Sequence, residues 1–126
     1  MSAKIPGGYQ TITPYLIIKN AAAFIDFTKK VFGAELINKH MRDETIIMHA
    51  EIKIGNSIIM LADSTAQFAS EPAPFFIYVE DADETYQLAL DNGAASRTAL
   101  SNQSYGRSGG VKDPFGNTWW ITSEVK

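Results

Sequence analysis

The 126-residue chain contains no cysteine. That excludes disulfide frameworks and thiolate nucleophiles, and it suits a reducing compartment. Histidine is scarce as well: His40 and His49 are the only two, so imidazole chemistry has two places to occur. No apolar run approaches the ~20 residues that cross a bilayer. The opening stretch, Met1 to Gly8, lacks the apolar segment of a signal peptide. The expectation is a cytoplasmic protein with no membrane role. No long run of like charges occurs and the net charge is −3, so no nucleic-acid partner is expected. No Ser-His-Asp or Cys-His arrangement can be assembled. Gly106, Gly109 and Gly110 precede no helical pattern, so their spacing is not a dinucleotide fingerprint.

What the chain does contain, it contains twice. Pro14-Tyr15-Leu16-Ile17-Ile18, a polar break and a helical run ending Gly33-Ala34 return about sixty positions later. The second copy reads Pro74-Phe75-Phe76-Ile77-Tyr78, a polar break, and a run ending Gly93-Ala94. Gly55-Asn56-Ser57-Ile58-Ile59 is echoed by Gly116-Asn117-Thr118-Trp119-Trp120. Such self-similarity means two copies of one supersecondary unit. A unit of about sixty residues is marginal alone, so a shared core or a second chain is expected.

Each copy reads strand, helix, three strands. In the first, residues 11–19 form a strand, and Ala21–Phe32 carries Phe24, Phe27 and Val31 at helical spacing. Asn20 is the N-cap and Gly33 the C-cap. Strands follow over Glu35–Arg42, Ile46–Ile54 and Ser57–Ala62. In the second, Pro74–Val79 is a strand, Asp83–Asp91 a helix, and Ser96–Ser101 a weak strand. Residues 102–110 read as loop and Thr118–Ser123 as the last strand. Residues 1–9 read as a flexible lead. The boundaries are module one at about 10–63, a linker at about 64–73 and module two at about 74–125.

Two βαβββ modules, with Asp113-Pro114-Phe115-Gly116-Asn117 entering an aromatic last strand, resemble the vicinal oxygen chelate superfamily, which includes glyoxalase I, bleomycin-resistance proteins and extradiol dioxygenases. Ile12-Thr13-Pro14-Tyr15-Leu16, Phe32-Gly33-Ala34-Glu35, Met48-His49-Ala50-Glu51, Met60-Leu61-Ala62-Asp63 and Arg107-Ser108-Gly109-Gly110-Val111-Lys112 look like its PhnB-like branch. One departure is that Tyr105-Gly106 runs straight into Arg107, where that branch carries an acidic residue between. The resemblance implies an α+β fold in which two βαβββ modules form a curved mixed-sheet cup with helices on the convex side. It also implies a homodimer. Catalytic members hold a divalent metal with four side chains, two per module. Those positions fall here at Thr13 or Pro14, Ile59 or Met60, Ala73 or Pro74, and Trp120 or Ile121. Only Thr13 offers an oxygen, a poor ligand for such a metal. No metal and no cofactor is therefore expected.

Alternation along 46–54 sends Met48, Ala50, Ile52 and Ile54 to the helix side and His49, Glu51 and Lys53 to the other. His49 and Glu51 stand roughly 7 Å apart along the strand. They are either ordinary polar residues of a sheet surface or a catalytic acid–base pair. His40 reads as an exposed or interface residue. Tyr15, Phe76, Tyr78 and Trp120 are aromatics that either fill the cup or line it for a ligand. Arg107 either faces solvent or binds an anionic group of a ligand. Two functions remain. One is a metal-free small-molecule-binding protein that sequesters its ligand, for which the acidic net charge favours a cation. The other is a glyoxalase-like lyase or isomerase working through His49 and Glu51.

Overall fold

The computed structural model describes residues 3–125. The chain divides between Glu71 and Pro72 into two compact units. The first contains β1 (Tyr15–Ile18), α1 (Ala21–Phe32), β2 (Glu35–Met41), β3 (Ile47–Ile54) and β4 (Ser57–Asp63). The second contains β5 (Pro74–Tyr78), α2 (Ala82–Asp91), β6 (Ala95–Gln103), β7 (Gly106–Lys112) and β8 (Thr118–Ser123). Each unit has one four-stranded mixed sheet, ordered β1-β4-β3-β2 and β5-β8-β7-β6. In both, the opening strand runs parallel to the closing one, and the remaining pairs are antiparallel.

α1 begins where the Asn20 side chain accepts the Ala23 N–H and ends at Gly33. Gly33 has φ 70°, a left-handed conformation that costs glycine nothing. The Gly33 and Ala34 amides then bond back to the Lys29 and Thr28 carbonyls, which satisfies carbonyls the helix would otherwise leave open. Phe24, Phe27 and Val31 of α1 are buried against the sheet with Leu16, Ile18, Ala50, Ile52 and Leu61. Each of the larger side chains among them contributes about 1.5–3 kcal/mol on burial. In module two, Ala82 and Ala89 of α2 are buried with Val111, Trp119 and Ile121. Trp119 stacks on Phe75 at 4.4 Å between centroids.

Four expectations need correction. β1 is shorter than residues 11–19, although the Pro14 carbonyl still accepts the Met60 amide. The supposed loop at 102–110 is mostly strand, because β6 runs to Gln103 and β7 starts at Gly106. Met48, read as packing toward the helices, is 57% exposed. Finally, the supposed flexible lead is anchored at its last residue, Tyr9. Tyr9 bonds Glu51, and the neighbouring Gln10 side-chain amide pairs with both the carbonyl and the N–H of Ile58. Gln10 occupies the edge of β4 that β1 is too short to cover. The reading of Met1 and Ser2 lies outside the described residues.

Candidate functional site

In module one, Tyr15, Met60, Glu51 and Asn38 are successive partners across β1, β4, β3 and β2. Directly paired residues share a face of a sheet, and this is the face away from α1. His49 lies on the same face, paired with His40. Glu51 is 5% exposed, and its carboxylate is fully engaged. Oε1 accepts the Tyr9 hydroxyl and the Asn38 Nδ2 at 3.1 Å, and Oε2 takes His49 Nε2 at 2.8 Å. Burial alone would raise the Glu51 pKa. The hydrogen bonds from His49, Tyr9 and Asn38 outweigh it and hold the carboxyl below its ordinary range. The same contact with Glu51 pushes the Tyr9 hydroxyl up.

An ionised carboxylate can only accept, so the neutral His49 ring carries its proton on Nε2. Nδ1 is then an acceptor, and the Tyr15 hydroxyl stands 3.2 Å from it. The result is a chain from half-exposed Tyr15 through an oriented imidazole to a buried carboxylate. Such a carboxylate fixes the tautomer and ring orientation of a histidine. Two grooves border the cluster. One, about 410 Å³, is lined by Tyr15, Ile17, Met48 and Phe68, with Arg42 at hand. The other, about 590 Å³, lies between the N-terminal segment and Glu51, Thr13 and Met60.

In module two, Phe76, Trp120, Gly110 and Thr98 form one row across the sheet. Gly109 of the neighbouring row meets Tyr86 of α2, so the Trp120 row faces away from that helix. The Trp120 indole lies against Gly110. A Cβ there would stand 2.5 Å from its Cζ3, so the glycine is the seat of the ring. Phe76 and Tyr78 are exposed, with centroids 5.2 Å apart, and Tyr105 stands 6.0 Å from Phe76. The structure brings Phe76, Tyr78 and Trp120 onto one module's face, and Tyr15, His49 and Glu51 onto the other's. Arg107 goes elsewhere. It lies in β7 with the parity of Gly109 and Val111, and its guanidinium grips Asp83 of α2 at 2.7 and 3.2 Å and Asn102 at 3.3 Å. Counting parity from Gly106 would have placed it on the helix side, but the glycines concealed the strand.

Sequence reasoning missed four residues. Tyr9 and Asn38 complete the Glu51 cluster from distant parts of the chain, and nothing in their local sequence signals it. Arg97, considered below, leans over Trp120. Asp113, read as a turn residue, is buried and accepts from the Phe115 amide, the Asn117 amide and side chain, and Trp119 Nε1.

The metal positions of the resembling superfamily do not fit a divalent ion. Ile59 and Ile121 are buried hydrocarbons, Met60 and Trp120 offer a thioether and an indole, and Thr13 supplies one neutral hydroxyl. Among the described residues, no group of three or more His, Cys, Asp or Glu side chains is placed to hold a metal.

Comparison with known proteins places this architecture. Uncharacterized protein Mb0911c of Mycobacterium bovis is 32% identical over 127 residues, which covers 91% of this chain and 84% of that protein. Protein PA1353 of Pseudomonas aeruginosa superposes with a TM-score of 0.74 at 21% identity, over 93% of this chain and 99% of that one. A Bacillus cereus structure described as a putative 3-demethylubiquinone-9 3-methyltransferase, PhnB protein, gives 0.71 at 19%, over 90% and 99%. The family model of the glyoxalase, bleomycin resistance protein and dioxygenase superfamily matches residues 10–121. The paired βαβββ modules and this match together make the chain a member of the Glyoxalase/Bleomycin resistance protein/Dioxygenase superfamily.

Proposed function

We propose that the protein binds a small organic molecule without a metal, on the face of module two that carries Trp120, and that it serves to sequester that ligand. The supporting observation is the seating of Trp120 on Gly110 beside exposed Phe76, Tyr78 and Tyr105. A rigid, half-exposed indole among aromatics gives a planar molecule a preformed surface at little entropic cost. The five sequence stretches quoted above support the PhnB-like branch. The reading includes a homodimer, supported by exposed Leu36, Ile37 and Met41 on the edge strand β2. It includes a cytoplasmic location, supported by the absence of cysteine.

The test is a thermal-shift panel of planar aromatic compounds on EDTA-stripped protein. Stripping is expected to leave Tm unchanged, and binders are expected to raise it. A Tm that falls on stripping and is restored by Zn²⁺, Ni²⁺ or Mn²⁺ overturns the metal-free reading. A panel without any shift overturns the binding reading.

A second reading, acid–base catalysis of the lyase or isomerase kind, is favoured by the 2.8 Å His49–Glu51 contact with Tyr15 on the far ring nitrogen. In an isomerase or lyase of this kind the base takes a proton from carbon. Bound carbon acids are therefore expected to take up deuterium from D₂O, read by NMR, and to stop doing so in His49→Asn. Uptake that survives the substitution removes His49 as the base.

A further inference from the structure

β6 carries a cation to the aromatic face of module two, beside an irregularity in its pairing. Ser96 pairs with Val111 and Thr98 pairs with Gly110, so two steps along β6 match one along β7. Arg97 is the extra residue of this bulge. A bulge breaks strict alternation, so two consecutive residues share a face: Arg97 and Thr98 both lie on the side of Gly110. Ser96 keeps to the helix side, where its hydroxyl bonds Tyr86 of α2. Arg97 comes to the other side. Its Nη1 bonds Thr118 Oγ1 at 2.8 Å, and its Cζ stands 5.8 Å from the centroid of the Trp120 ring. Lys112 pairs directly with Thr118 and therefore shares this face. Among the described residues, no carboxylate lies within ion-pair distance of Arg97 or Lys112. The chain as a whole carries net charge −3, yet this end of the face presents two cations, Arg97 and Lys112.

We propose that this face is a site for a planar aromatic carboxylate, with the ligand's ring on the Phe76–Trp120 row and its carboxylate on the Arg97 guanidinium. The proposal rests on the small-molecule-binding reading above and names its ligand class. The guanidinium fork suits a carboxylate bidentately. Its bond to Thr118 and its contact with the indole hold it in place before the ligand arrives, so little entropy remains to be lost. Local charge thus decides against the cationic ligand that net charge alone favours.

The experiment titrates ¹⁵N-labelled full chain with indole-3-acetate and with uncharged indole-3-acetamide, following the Trp120 and Trp119 indole signals. The acetate is expected to bind about tenfold more tightly, the effect of one charge-assisted contact, and to move Trp120 more than buried Trp119. In Arg97→Gln the preference for the acetate over the amide is expected to vanish. In Trp120→Leu both probes are expected to weaken together. Melting curves confirm that each variant is folded. Equal affinity of the two probes for the wild-type chain overturns the carboxylate class and leaves the binding reading standing. If neither probe nor any member of the thermal-shift panel binds, both fall. Tighter acetate binding that survives Arg97→Gln moves the anion contact away from Arg97 and overturns the site as drawn.

Discussion

Replacing Asp113 by alanine is expected to destabilise module two by about 3–4 kcal/mol. The carboxylate accepts from two backbone amides, the Asn117 side chain and Trp119 Nε1. Asn117 is 0% and Trp119 1% exposed, so water cannot readily replace the lost acceptor. Unmet buried donors cost about 1–3 kcal/mol each. Asparagine is no rescue. Its one oxygen can serve either the Oδ1 or the Oδ2 partners, and its NH₂ then meets N–H groups. Both tryptophans of the chain, Trp119 and Trp120, lie in this module, so urea unfolding followed by tryptophan emission reports on it directly. The expected result is a midpoint shifted down in Asp113→Ala, with Asp113→Asn close to it. A midpoint equal to wild type would remove Asp113 as the organising group of the β7–β8 turn.

Glu51 gives the second large effect, on module one. Glu51→Ala is expected to cost about 2–3 kcal/mol, less than Asp113 because Tyr9 and His49 are half-buried and can rehydrate. The donors on Glu51 hold its folded pKa below the ordinary value. As pH falls, the unfolded chain therefore takes up the proton first. The stabilisation is complete above the ordinary carboxylate range, declines through it, and is gone below the folded pKa. In Glu51→Gln this part of the acid limb should be absent, which a urea series across pH by circular dichroism would reveal. The same variant should invert the His49 tautomer. An amide NH₂ opposite Nε2 makes that nitrogen the acceptor and sends the ring proton to Nδ1, toward the Tyr15 oxygen. Imidazole ¹⁵N shifts separate the two forms. An unchanged tautomer would mean that Glu51 does not orient the ring.

How legible each part was depended on the range of the interactions that fix it. α1 was readable to the residue because its signals are local: apolar spacing, Asn20 before it and Gly33 after it. His49 and Glu51 sharing a face also followed from alternation alone. The donors that complete their cluster did not, since Tyr9 reaches Glu51 across 42 positions and no local pattern encodes that. The glycines of β7 misled for a specific reason. Gly109 and Gly110 look like loop residues. They are strand residues kept small because Leu100 and Tyr86 press on the first and the Trp120 ring on the second. The bulge at Arg97 is invisible in β6, whose weak pattern fixes no register.

The parallel pairing of first and last strands has a consequence for biosynthesis. β1 finds its partner only when β4 has been made, and β5 only when β8 has. While a nascent chain lengthens, Tyr15-Leu16-Ile17-Ile18 waits as an unpaired apolar strand, and Phe75-Phe76-Ile77-Tyr78 waits after it. Such segments invite pairing with other chains. Both are short and each has a proline at its start, Pro14 just before β1 and Pro74 as the first residue of β5. A residue without an N–H offers a growing aggregate no donor at that position. The prolines that open each module thus protect it during the interval in which its sheet is still missing a neighbour.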